Sequence, residues 1–167
     1  APLSLNIPES GGDLPDVVDE ALFNLDCYRR IQLPSGGIRG GIESEEHPRF
    51  GEASWQESLT VMAYTPDVWS TYQYAGVAAR AAAWLRETSP ALAKKYEESA
   101  LSAILWAEKE MATRKGDPHP VGDARNLAAA DVLFAADAGL RQDQRLRHPR
   151  LLGLLASRNL GLLDGAL

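Results

Sequence analysis

DVWSTYQYAGVAARAAAWLRE, residues 67–87, decides the fold. Val68, Tyr72, Ala75, Ala79, Ala82 and Leu85 recur at helical spacing along one side, and Tyr74, Val77, Ala81 and Trp84 form a second apolar row. A helix that is apolar on two faces is covered by neighbours on most sides. The small side chains of Ala75, Gly76, Ala78, Ala79, Ala81, Ala82 and Ala83 let those neighbours come close. Tyr72 shares the face of Ala75 and Ala79 and is expected in the core, as are Trp84 and Trp106.

Downstream, Ser89 and Pro90 read as an N-cap and a first helical turn. The spacing of Leu92, Tyr96, Ala100, Ala103, Ala107 and Met111 predicts a helix over 90–114, with Gly116 as its stop. A turn at 117–122 leads to a predicted helix over 123–138 closed by Gly139, a polar stretch, and a Leu-rich helix over 150–163. Upstream, residues 1–13 read as an extended, turn-rich lead-in. Leu14, Val17, Val18, Ala21, Leu22, Leu25 and Tyr28 predict a helix over 14–33, with Asp13 as N-cap and Pro15 in the first turn. Its acids Asp16, Asp19 and Glu20 complement the helix dipole as solvated charges, and Arg29 and Arg30 do so at the other end. Cys27, among apolar neighbours, reads as a small buried hydrophobe. Residues 34–66 are glycine-rich and irregular, a long loop holding at most one small hairpin from the stretches near 38–42 and 59–64. Long loops of this kind often bind ligand. The class is all-α, built of antiparallel helical hairpins in a single domain.

Composition narrows the function. The 167 residues carry 17 Lys and Arg against 23 Asp and Glu, a formal net charge of −6, which argues against nucleic acid as a partner. No apolar run is long enough for a membrane span, and no leader-like segment opens the chain. One cysteine excludes an internal disulfide and a cysteine-based zinc site. His47, His119 and His148 lie far apart in the chain with no ligand spacing, so no metal and no cofactor are expected.

Three segments resemble the catalytic domain of glycoside hydrolase family 9, the cellulase-type endoglucanases. The first is NIPESGGDLPDVVDEA, residues 6–21, continuing through Leu25 to Gln32 and the Gly36-Gly37 turn. It is similar to that family's Pro-Glu-Ser segment, which precedes a Pro-Asp-(aliphatic)-(aliphatic)-Asp-Glu helix, then a Gln and a Gly-Gly turn. The second is Gly40 to Ser58, in which HPRFGE at 47–52 sits where the family often has a His before its substrate-lining loop. The third is YTPDVWSTYQYAGVAAR at 64–80, which resembles its Ala-rich inner helix. The resemblance covers about residues 5–115; beyond it only the helical rhythm and ARNLAAAD at 124–131 fit. It implies part of an (α/α)6 toroid of paired inner and outer helices, with 67–87 inner and 90–114 outer. It also implies a β-linked glucan, as polysaccharide or oligosaccharide, for the complete enzyme, and a secreted or periplasmic setting.

Inverting hydrolysis of a glycoside needs a carboxylate base and a carboxylic acid roughly 6.5–9.5 Å apart. The resemblance implies a base from an Asp-Ala-Gly-Asp motif ahead of the Pro-Glu-Ser segment and an acid Glu near the C-terminal end of the domain. Neither occurs in the 167 residues, and Asp137-Ala-Gly139 lacks the second Asp. No residue of this chain is therefore assigned a catalytic role, and the chain alone is expected to be inactive. The substrate-binding candidates are His47, whose imidazole can donate and accept hydrogen bonds, and Trp55 and Trp69, which bracket the entry from the loop into the helix. Flat aromatic rings suit the C–H faces of sugars. The alternatives are a non-catalytic carbohydrate-binding or protein-interaction module, and a helical scaffold covered by a partner. An inner helix apolar on two faces predicts self-association or further helices around it.

Overall fold

The computed structural model describes residues 5–8 and 10–113. The helices expected at 123–138 and 150–163, together with His119 and His148, lie outside them. Among the described residues three helices run in chain order: α1 (Asp16–Arg30), α2 (Val68–Leu85) and α3 (Pro90–Thr113). Between α1 and α2 the chain forms two short strands, β1 (Ile42–Ser44) and β2 (Val61–Ala63), with one 3-10 turn at Ser54–Gln56.

α2 and α3 form the packed centre. Ala75, Ala78, Ala82 and Leu85 on α2, and Ala100, Ala103, Ile104 and Ala107 on α3, are buried, with Tyr72 and Tyr96 as the largest enclosed side chains. Rows of alanine let the helix axes approach closely, and the two tyrosines fill the volume that alanine leaves. The Tyr72 hydroxyl donates to Glu108 Oε1 at 2.8 Å, so the buried carboxylate on α3 is met by a donor from α2. The Asp67 carboxylate caps α2 by accepting from the Ser70 N–H at 2.7 Å. At the start of α3 the Ser89 carbonyl takes the N–H groups of Leu92 and Ala93.

α1 lies beside α2, contributing Leu22 and Leu25 to the core. Several local expectations are corrected here. Pro15, not Asp13, is the N-cap residue of α1; it has no side chain able to cap, and its carbonyl accepts from Val18 and Asp19. The helix ends at Arg30 rather than running to 33. Asp16 is not a solvated acid. It is only 5% exposed, and it accepts from the Leu5 N–H and the Ser10 hydroxyl, each at 2.6 Å, which ties the lead-in to the helix. Cys27 is exposed on the outer side of α1. Near the C-terminal end, Asp26 pairs with Arg29 and Arg30 at 2.6 Å. Burial opposes its charge, but the two guanidiniums outweigh it and hold the carboxyl below its usual range.

The small hairpin is present. β1 and β2 pair antiparallel with Ile42 opposite Ala63, Glu43 opposite Met62 and Ser44 opposite Val61. The loop root is fastened to the helices by close approach as well as by hydrogen bonds. Gly36 has φ +108°, and a Cβ there would lie 2.2 Å from the Ser102 carbonyl oxygen of α3. Gly37 sits against the Trp106 indole, so glycine is required at both positions by contact and at Gly36 by backbone geometry too.

Candidate functional site

The loop of residues 34–66 has a hydrogen-bonded root and an exposed tip. At the root, the Ile38 N–H donates to Thr71 Oγ1 at 3.0 Å, and the Thr71 hydroxyl donates to the Asp67 carbonyl at 2.6 Å. The Asp67 N–H returns to the Ile38 carbonyl at 3.3 Å, and Arg39 bridges to Pro66. Arg39 also donates to the Tyr64 carbonyl at 2.8 Å, which holds the two strands of the root together. Along the hairpin, the Tyr64 hydroxyl donates to Glu43 and the Ser44 hydroxyl to Glu57, each at 2.6 Å. The hydrogen bond to Glu43 favours protonated Tyr64 and raises its pKa, while the Ser44 hydroxyl lowers that of Glu57.

His47, Phe50 and Trp55 all lie on the tip and face solvent. Trp55 is 84% exposed and Phe50 is fully exposed, so the loop presents two aromatic faces without packing them against the core. Such rings suit stacking on a sugar. Phe50, within the quoted HPRFGE segment, belongs with His47, Trp55 and Tyr64 to the loop groups that residue type marks as able to contact a ligand.

Trp69 lies elsewhere. It is 48% exposed in the first turn of α2 and lines a cleft of about 260 Å³ between α1 and α2. Asn24 and Tyr28 on α1, Gly40 at the loop root, and Gln73 and Tyr74 on α2 share this cleft. His47 and Trp55 are not part of its lining, so the structure separates the three sequence candidates into a loop pair and a cleft residue. The cleft runs on into a more apolar groove of about 300 Å³ lined by Val17, Val18, Leu22, Val77, Trp84 and Leu85. Trp84, expected in the core, is instead 47% exposed there. It stands on the side of α2 turned from α3, where α1 only partly covers it.

Among the described residues no group of three or more His, Cys, Asp or Glu side chains is placed to hold a metal ion. No described helix is long and apolar enough to cross a membrane.

No family model matches the chain. Among curated proteins it is similar to Endoglucanase C of Cellulomonas fimi, with 28% identity over 136 residues, covering 77% of this chain and 11% of that protein. Among solved structures it is similar to a Bacteroides ovatus GH9 protein, at 24% identity and a TM-score of 0.69, covering 81% of this chain and 28% of that one. A metagenome-derived glycoside hydrolase family 9 endoglucanase superposes with a TM-score of 0.68 at 22% identity, over 84% of this chain and 29% of its own. The chain thus spans about a tenth of the curated relative and under a third of the solved ones. The described helices and their two-stranded hairpin have the fold of a segment of the glycoside hydrolase family 9 catalytic domain, an (α/α)6 toroid.

Proposed function

We propose that this chain is a segment of a glycoside hydrolase that cleaves β-linked glucan by inversion in the complete enzyme. All of its 167 residues then belong to one catalytic domain, with 34–66 on the substrate side. The observation that carries this reading is the coincidence of two likenesses, one in sequence and one in fold. The Pro-Glu-Ser and Pro-Asp-Val-Val-Asp-Glu segment resembles family 9 in sequence, and the residues that follow it fold as the corresponding helices.

In this reading the chain supplies substrate contacts and leaves the chemistry to carboxylates carried by other parts of the enzyme. Trp55 stacks on a glucose ring from the loop tip, His47 exchanges hydrogen bonds with hydroxyls beside it, and Trp69 serves the cleft at the start of α2. Asp16, the acid that heads the family-like helix, is engaged by Leu5 and Ser10 and has a structural task. Alone, the chain is inactive. The test is hydrolysis of soluble carboxymethylcellulose by the purified 167-residue chain, with no release of reducing sugar expected. Release that disappears when one of its own carboxylates is changed to the amide would overturn the proposal. Reading the gene on both sides for an Asp-Ala-Gly-Asp ahead and a Glu behind tests the segment reading directly.

A second reading, a non-catalytic carbohydrate-binding or protein-interaction module, draws support from the open groove between α1 and α2 and from the exposed rings of Phe50 and Trp55. The two readings part on the same gene sequence, because only the first requires the flanking carboxylates. The apolar groove also favours association with further helices or with another copy, which light scattering on the purified chain measures.

A further inference from the structure

One side chain reaches the root of the substrate-side loop from the end of α1. Gln32 donates through Nε2 to the Gly36 carbonyl at 2.9 Å and to the Ser99 carbonyl of α3 at 3.1 Å. Its Oε1 accepts from the Ser99 hydroxyl at 2.5 Å. Ser99 Oγ is also 2.7 Å from the Tyr74 hydroxyl. A hydroxyl has one proton to give, so with that of Ser99 directed to Gln32, Tyr74 is the donor to Ser99. Two carbonyls facing Nε2 and one hydroxyl facing Oε1 admit a single orientation of the carboxamide.

The relay therefore runs from α2 through α3 to Gln32 and ends on the loop. Gly36 belongs to the turn in which the Leu33 N–H meets the Gly37 carbonyl and the Gly36 N–H meets the Leu33 carbonyl. Directly after that turn, Ile38 is fastened to Thr71 and Gly40 borders the Trp69 cleft. We propose that Gln32 is the positioning residue of the substrate-side loop: by clamping the 33–37 turn on α3 it sets how the hairpin and its aromatic tip stand relative to Trp69. This rests on the reading of 34–66 as the substrate side. Without Gln32 the turn keeps its own two hydrogen bonds and its packing on Ser102 and Trp106, but loses its hydrogen-bonded bridge to α3. A glutamate there sets carboxylate oxygens against the Gly36 and Ser99 carbonyls, which repels them rather than holding them.

Amide hydrogen exchange by NMR on Gln32→Leu and Gln32→Glu tests the assignment. Exchange at Leu33, Gly36, Ile38 and Tyr64 is expected to quicken at least tenfold, while interior amides of α2 and α3 stay within twofold of the parent. Uniform acceleration across the molecule, or none at the loop root, overturns the proposal, since a merely stabilising contact moves all protected amides together. Ser99→Ala serves if a Gln32 variant does not fold. It removes the hydroxyl but leaves both Nε2 bonds, so a smaller acceleration confined to the same amides is expected, and one that spreads through α3 counts against the idea. Cellohexaose titration, read at the Trp55 and Trp69 indole signals, separates the two claims. Silence at both indoles in the parent chain sinks the substrate-side reading, while the exchange pattern still decides the role of Gln32.

Discussion

α2 meets its two neighbours in different ways. Toward α3 it presents Ala75, Ala78, Ala82 and Leu85, all buried, and the two helices close on each other with Tyr72 and Tyr96 filling the space between. Toward α1 it presents Trp69, Gln73, Val77, Arg80 and Trp84, and a groove stays open along them. From Trp69 to Trp84 that groove runs roughly 22 Å at the helical rise per residue. The contrast teaches that side-chain size, more than hydrophobicity, sets which seam of this hairpin closes. Alanine rows admit a helix to near contact, whereas two tryptophans and a valine hold one away and leave room for something else.

The sharpest test of the closed side is Gly36→Ala. It places a Cβ against the Ser102 carbonyl and forces a left-handed backbone on a residue that resists it. Together these cost about 3–4 kcal/mol, visible as a large fall in the thermal midpoint. Alkaline titration should act next. Burial pushes the Tyr74 hydroxyl up to about 12. Its folded pKa lies above the unfolded value near 10, so the associated stability is whole below about pH 10. It is lost as pH rises toward 12, by about 2–3 kcal/mol at the end. Chemical denaturation at several alkaline pH values measures this, and a Tyr74→Phe variant should show a flatter profile.

Tyr72→Phe should cost about 2 kcal/mol, because the buried Glu108 carboxylate then has one donor fewer. On the open side, Val77→Ala is expected to change stability by no more than about 0.5 kcal/mol, since its side chain lines a groove that nothing described fills. A cost of several kcal/mol there would mean that the groove is occupied in solution, and the contrast between the two seams would fail. Smallest of all for stability is Trp55→Ala. Its ring is exposed, so the midpoint should stay put while binding of cellohexaose weakens.

Much of the architecture was legible before any coordinates. The double apolar row of 67–87 and the single row of 90–114 report on backbone periodicity and side-chain size, which are local properties. The glycine-rich character of 34–66 announced a loop, and its alternating stretches announced the hairpin. Individual burial was read less well. Trp84 is apolar and correctly phased for the core, yet it stands where α1 only partly covers α2. An acid in a first helical turn reads as solvated, yet Leu5 and Ser10 fold back to Asp16. Cys27 failed for the same reason as Trp84: sequence phase tells which residues share a face, not whether another element covers that face.

The candidate site divides along the same line. His47, Trp55 and Trp69 could be chosen from residue type and loop context, since imidazole and indole carry their chemistry wherever they stand. That Trp69 faces a cleft with Asn24, Tyr28 and Gln73 while the other two ride a separate loop tip was invisible in one dimension. The sequence by itself determined the helices, the glycine turns and the likeness to a glycoside hydrolase segment, because propensity, periodicity and motif are written along the chain. Only the tertiary structure decided which seam is closed, which acid is buried and which carboxamide holds the loop. Those depend on contacts such as Gln32 with Ser99, whose partners lie 67 residues apart and meet only after the helices have packed.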